Sequence, residues 1–235
     1  MSDSDYNATL SADQFYAQGV VNIVRDFVGE FSSRGELNAL RRIVEDGEDL
    51  QGGVVGQMPE RFTEDKLIRP LLEALGYEGI VSQPADLVQD QRSVPDFKTG
   101  GVAESCVCII EAKRLGRLAL SDEQHIVEDE ILEYLGENAL TKYKRDLDTQ
   151  YLMGIGTDGV VWILYAKNLN TGERTAIQAA SLREPIRQAV LSQQYDGEPG
   201  DSWVTDQRPY IKKEFVQYFT ADSASAATTA ALNNE

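Results

Sequence analysis

The sequence predicts an α/β protein with a mixed central sheet covered by helices. Apolar residues recur at helical spacing near both ends of the chain. Between them lie short β-rich runs separated by Gly- and Asx-containing turns. The order is helices, a strand meander, a helix, more strands, then helices, a plan that places helices over a sheet. At 235 residues the chain suits one α/β domain with extensions, or at most two small domains.

Residues 11–31 read as an amphipathic helix, with Phe15, Val20, Ile23, Val24, Phe27 and Phe31 on one stripe and Ser11 as its N-cap. A shorter helix covers residues 36–45, and the Gly-rich, polar residues 47–56 read as a linker. The next helix starts near Pro59, a residue favoured in the first turn. Phe62, Ile68, Leu71, Leu72 and Leu75 mark its buried stripe, Pro70 predicts a kink, and Gly76 ends it.

Strands are predicted at 79–82, 94–98 and 105–113, with Thr99-Gly100-Gly101 turning between the last two. Residues 121–147 are charged and mostly helical, opened by Ser121-Asp122-Glu123. Asp158-Gly159 is a hairpin signal between strands 151–157 and 160–165, and Asn170-Thr171-Gly172 turns into a further strand at 174–179. Helices near 183–193 and 205–219 follow. Residues 222–235 are small and polar and predict a disordered tail.

The chain carries 39 acidic against 22 basic residues, a net charge of −17. That opposes tight, unaided electrostatic binding to DNA unless the basic residues gather on one face, or the protein works in high salt. Arginine outnumbers lysine, which fits the second option. No run reaches the length of a membrane span, and the acidic, polar start lacks a basic and apolar leader, so the expected location is the cytoplasm. Cys106 and Cys108, two apart in an apolar run, read as small core residues rather than a disulfide or zinc pair. His125, in an acidic helical stretch, reads as exposed.

The chemistry-bearing stretch runs from Ser93 to Gly116. Glu111 and Lys113 are two apart on a strand and share a face, with Val107 and Ile109 earlier on it. Cys106, Cys108, Ile110 and Ala112 take the other face, toward the core. Asp96 lies on the preceding strand, and pairing the two strands brings its carboxylate beside Glu111. Two converging carboxylates suit a hard divalent cation, Mg²⁺ or Mn²⁺. A nearby lysine can orient or deprotonate a water, or stabilise growing negative charge. The plainer reading makes Asp96 a turn-flanking surface acid and Glu111–Lys113 an edge-strand ion pair.

Pro95-Asp96 followed by Glu111-Ala112-Lys113 resembles the PD-(D/E)XK nuclease superfamily. The resemblance implies a restriction-endonuclease-like fold, Asp96 and Glu111 as metal ligands, and Lys113 as a catalytic residue. More of the chain, about residues 58–180, looks like the N-terminal nuclease domain of type I restriction enzyme motor subunits. There the match is an Ile-x-Pro-x-Leu pattern with a Leu-Gly-Tyr ending (Ile68, Pro70, Leu72, Leu75, Gly76, Tyr77). A later hairpin of the kind Gly-Ile-x-Thr-Asn-Gly-x-x-Trp carries Asp158 in place of Asn and ends on Trp162. In that group a helix acid completes the metal site; Glu60 best matches its position, and Glu64 lies one turn later on the same face. Either could instead be a first-turn acid answering the helix dipole. A Gln-x-x-x-Tyr motif often follows the Lys strand, and here Tyr143 fits while Ala139 stands at the Gln position. Arg114, Arg117, Lys142, Lys144 and Arg145 are candidate phosphate contacts, with Tyr143 beside them; as a charge run they could equally be a solvated face.

The resulting organisation is an N-terminal helical extension (1–50), a nuclease-like core (58–180), C-terminal helices packing on it (181–220) and the tail (221–235). The expected activity is metal-dependent DNA endonuclease cleavage of a restriction or defence type, with a homodimer or a partner subunit. The alternatives are a catalytically inactive binding or assembly subunit of the same fold, and an RNA-directed nuclease. There is no Walker-type phosphate loop, hence no motor within these residues.

Overall fold

The computed structural model describes residues 11–84, 94–119, 121–133 and 149–232. Helix α1 (Ala12–Ser33) opens on a capping box: the Ser11 hydroxyl accepts from the Gln14 N–H, and the Gln14 side chain accepts from the Ser11 N–H at 2.9 Å. It buries Val20, Val21, Val24, Phe27, Val28 and Phe31, and so lies inside the main core with the helices that follow. The stretch 12–50, expected as an extension, therefore belongs to that core. Phe15, expected on the buried stripe, is instead 67% exposed. Helix α2 (Leu37–Asp46) ends on Gly47 in the left-handed region.

The expected linker 47–56 is packed structure. Leu50 is fully buried and its N–H donates to the Leu115 carbonyl at 2.9 Å, and a short helix α3 (Gly52–Val55) follows. Polar composition hid this because the segment is anchored by two apolar side chains, Leu50 and Val55, and backbone hydrogen bonds. Next come α4 (Pro59–Thr63), a π turn (Glu64–Ile68) and α5 (Arg69–Ala74) without a break. At Pro70, where the sequence predicts a kink, the helix widens. Proline has no N–H to close an ordinary turn, and the neighbouring Arg69 N–H donates to Glu64, five residues back.

Six strands form one sheet in chain order: β1 (Glu78–Ser82), β2 (Phe97–Gly100), β3 (Cys106–Ala112), β4 (Tyr151–Thr157), β5 (Val161–Asn168) and β6 (Arg174–Ser181). All neighbours are antiparallel except β3 and β4, which run parallel. Helix α6 (Ser121–Glu133) lies in the connection between them. The fold is the expected mixed α/β one, a largely antiparallel sheet flanked by helices. The helices α7 (Arg183–Asp196) and α8 (Asp201–Ile211) and a second π turn (Lys212–Val216) pack beside α1, and α9 (Gln217–Phe219) continues from that turn.

Strand β3 is buried on both faces, and its two faces serve different layers. Cys108, Ile110 and Ala112 join the large core with α1 and α5. Val107 and Ile109 join a smaller cluster with Val127 and Ile131 of α6. Both cysteines are free and buried, and His125 is exposed. Trp162 is a core residue: its indole N–H donates to the Gly159 carbonyl at 3.1 Å, and its ring meets Phe215 and Phe219 edge-on.

Residues 221–232, expected as a disordered tail, form helix α10 (Ala221–Leu232) against β4, β5 and β6. Ala224, Ser225, Thr228 and Leu232 are buried, and the Ser225 hydroxyl accepts from the Ala103 N–H at 3.2 Å. Alanine is the strongest helix former, and small side chains let a helix lie close to a sheet, so composition alone misled. Among the described residues no helix is long and apolar enough to cross a membrane.

Glycine sets how closely α6 approaches. A Cβ at Gly154 would collide with Ile131, and one at Gly156 with Val127. Gly156→Ala is therefore expected to destabilise the fold by about 1–3 kcal/mol, as overpacked cores do, read as a lower urea midpoint. An unchanged midpoint would mean that α6 does not sit on the sheet this closely.

Candidate active site

The register of β2 on β3 builds the site. Phe97 pairs with Ile110 and Lys98 with Ile109, so one step further sets Asp96 across from Glu111. The Asp96 carboxylate accepts the Ala112 N–H at 2.7 Å, which fixes it at the end of β3. Lys113 follows the strand, its N–H donating to the Thr157 carbonyl at 2.8 Å as the parallel ladder continues. The structure thus brings together the three residues that the motif picked out.

Burial raises the stakes for each charge. Glu111 is 6% exposed. Burial pushes the Asp96 carboxyl up to about 8, helped by the charge of Glu111 and opposed by the Ala112 N–H, with Glu64 and Glu60 raising it further. Lys113 feels the opposite balance. Burial pulls its pKa down, but the carboxylates of Glu111 and Glu130 outweigh this and hold it above the ordinary lysine range. Its Nζ stands 2.8 Å from Glu111 Oε1 and 2.7 Å from Glu130 Oε2. A lysine so held is an ammonium, suited to stabilising negative charge and unsuited to taking a proton from water.

The two helix acids differ in setting. Glu64, at the start of the π turn, is 8% exposed; burial raises its pKa and Arg61, 3.0 Å away, opposes the rise. Glu60 is less buried and lines an open cleft of about 440 Å³. Met58 and Pro59 stand with Glu60 on that cleft, facing Glu123, Ile126 and Glu130 of α6, and Lys113, Arg114 and Arg117 complete the lining. Asp96, Glu111 and Glu64 lie outside the lining, so Lys113 is the catalytic candidate exposed to the cleft alongside Glu60.

Arg114 is ion-paired with Asp49, and Arg117 with both Asp49 and Glu123. Lys142, Tyr143, Lys144, Arg145 and Ala139 lie outside the described residues. Sequence reasoning missed Asp49, Glu123 and Glu130, which carry no motif. It also missed Thr63, whose buried hydroxyl accepts the Leu115 N–H at 3.1 Å and donates to the Pro59 carbonyl at 2.9 Å, tying α4 to the end of the motif strand. The weak signal for Thr63 was a polar residue on an apolar helix stripe. Asp158, read as a hairpin-turn residue at the Asn position of the resembling motif, is fully buried. Its carboxylate accepts from the N–H groups of Leu118 (2.8 Å), Val160 (2.9 Å) and Val161 (2.7 Å), so it joins the β4–β5 hairpin to the segment after Lys113.

Among the described residues no three His, Cys, Asp or Glu side chains gather as a ready-made metal cage. A magnesium ion needs less: it keeps several waters and takes one or two carboxylates. The paired acids Asp96 and Glu111, with Glu64 and Glu60 adding like charge, are a donor set of that kind, and a divalent cation would relieve their repulsion.

The chain is 33% identical over 111 residues to a protein of Methanocaldococcus jannaschii provisionally named as a type II restriction enzyme and methyltransferase. The match covers 46% of this chain and 8% of that protein, so the chain spans less than a tenth of its relative. No protein-family model and no solved structure matches.

Two outcomes follow from this geometry. The Asp96 pKa rises on folding from the ordinary 3.8 to about 8, so the folded state holds its proton more tightly between those values. Stability is therefore expected to fall as pH rises through that window in metal-free buffer, and Asp96→Asn is expected to flatten the slope. An equal slope in both proteins would contradict the burial of Asp96 beside Glu111. Thr63→Val, which leaves the buried Leu115 N–H without its partner, is expected to cost about 1–3 kcal/mol in chemical denaturation; a neutral effect would show that the Thr63 tie is absent.

Proposed function

We propose that the chain is a metal-dependent nuclease of the restriction type that hydrolyses phosphodiester bonds in DNA. The observation that carries this reading is Asp96 set across from Glu111 at the end of β3, with Lys113 held as an ammonium beside them. The similarity to a protein named as a restriction enzyme supports the substrate class.

In this reading Asp96 and Glu111 hold Mg²⁺ or Mn²⁺, and Glu64 is the favoured third acid because it is nearly buried. Glu60, on the cleft wall, is better placed to meet substrate than to complete the inner set. Bound there, the cation would polarise a phosphoryl oxygen and acidify an attacking water. Lys113 donates hydrogen bonds to the oxygens on which negative charge grows, leaving Glu130 or Glu111 as it does so. Asp158 and Thr63 keep the segment bearing Lys113 in register with the acids from either side.

The test is cleavage of supercoiled DNA with Mg²⁺ or Mn²⁺ from low to molar salt, with RNA run in parallel. Asp96→Ala and Lys113→Ala are each expected to lose roughly 100-fold or more in rate. Calorimetry is expected to show metal binding lost in the first variant and kept in the second. A folded wild type that neither binds metal nor cuts at any salt would sink the proposal, and cleavage of RNA alone would move it to the other nucleic acid.

A further inference from the structure

We infer that Arg114 and Arg117 form a docking site for a backbone phosphate next to the scissile one, and that Asp49 and Glu123 are internal anions occupying it until substrate arrives. The inference rests on the nuclease reading and adds a substrate contact and a built-in competitor to it.

Two guanidinium groups meet one carboxylate oxygen. Arg114 pairs closely with Asp49 Oδ2, and Arg117 Nη1 stands 3.6 Å from the same atom. A second branch of Arg117 pairs with Glu123 Oε1. Paired arginines converging on one oxyanion is the arrangement that recognises phosphate, since the planar fork donates several N–H groups at once. The place is fixed from both sides. A Cβ at Gly116 would strike the Glu48 carbonyl and the Ile43 side chain, so the loop bearing Asp49 lies directly on the arginine segment. The Leu50 to Leu115 hydrogen bond holds it there. Glu123 comes from α6, which is seated on the sheet through Val127 and Ile131. Arg114, Arg117 and Glu123 line the cleft with Lys113, and Asp49 lies on an adjoining pocket that Arg117 also lines, so a phosphate that takes the place of Glu123 enters the cleft of Lys113.

Magnitude decides whether such a site can open. The arginine side chains are 38% and 33% exposed and their acid partners Asp49 and Glu123 23% and 16%, so water reaches every member of the pairs and weakens their hold. A polyanion that also releases counterions on binding outcompetes such pairs at low salt. In a chain of net charge −17 the arrangement keeps the two arginines grouped and paired until a phosphodiester chain competes for them.

The experiment measures binding of a short fluorescein-labelled DNA duplex to the full chain by anisotropy in metal-free buffer, where no cleavage interferes, across a salt series. Asp49→Asn and Glu123→Gln are each expected to tighten binding roughly three- to tenfold. Arg114→Ala and Arg117→Ala are expected to weaken it and to lower the salt slope by about one apiece. Both acid variants are near-isosteric, and thermal melting checks that they fold. Unchanged or weaker binding in both, with a lowered melting temperature, would make the acids structural ties and overturn the inference; if wild type then still cuts DNA with metal, the nuclease reading stands without it. Tighter binding in the acid variants without cleavage by any of them supports the phosphate site and removes the nuclease reading. No binding by wild type, acid variants and arginine variants alike, with no cleavage, overturns both.

Discussion

Asp96 and Glu111 face each other where water is scarce, and like charges so placed repel more strongly than they would at a surface. Register leaves them little choice. Because β2 is antiparallel to β3 in the observed alignment, both carboxylates emerge from one face at the end of a strand that is otherwise apolar. The Ala112 N–H and the Lys113 ammonium offset part of the cost within the chain itself. Neither removes it, since Asp96 is still pushed up to about 8. A fold that keeps such a pair retains a local penalty that a bound cation would lift.

The elements around the pair hold its supporting residues in place. Thr63 joins α4 to the segment after Lys113, and Asp158 joins the same segment to the β4–β5 hairpin. Both ties are single side chains accepting backbone N–H groups in the interior, where an unmade hydrogen bond costs far more than a made one contributes. The π turn beginning at Glu64 belongs to the same design. It offsets the missing N–H of Pro70 and begins at Glu64, the more buried of the two helix acids, beside Arg61.

The candidate site was readable because it obeys short-range rules. Period-two spacing placed Glu111 and Lys113 on one face of β3 and separated them from Cys108 and Ile110; hairpin logic placed Asp96 across from Glu111. The unreadable parts depend on contacts between distant segments. Nothing local distinguishes Glu130 from the other acids of α6, yet it is the one at Lys113 Nζ. The polar 47–56 stretch looked like a linker because its anchoring is two buried side chains, Leu50 and Val55, and a close approach at Gly116. Residues 221–232 looked like a tail because small side chains carry little hydrophobic signal, although they suit a helix pressed against a sheet. Glu60 and Glu64 share a helical face in sequence, and only the packing separates the buried acid from the one on the cleft.

Net charge is a poor guide to what this surface can bind. Of the basic side chains that line the cleft, Lys113, Arg114 and Arg117 fall within five consecutive positions, and each has an acidic partner supplied by another part of the fold. Seen from a distance, that cluster is neutralised and the molecule is an anion. Seen by a ligand already in the cleft, it is a row of donors whose present partners are exchangeable at small cost. A strongly acidic chain and a phosphate-binding cleft are therefore compatible when the cations are grouped and the anions beside them are weakly held. The same grouping explains why the site tolerates Lys113 as a charged residue with only 17% of its side chain exposed: it is never far from a carboxylate, whether the buried one of Glu111 or the one of Glu130 on the cleft.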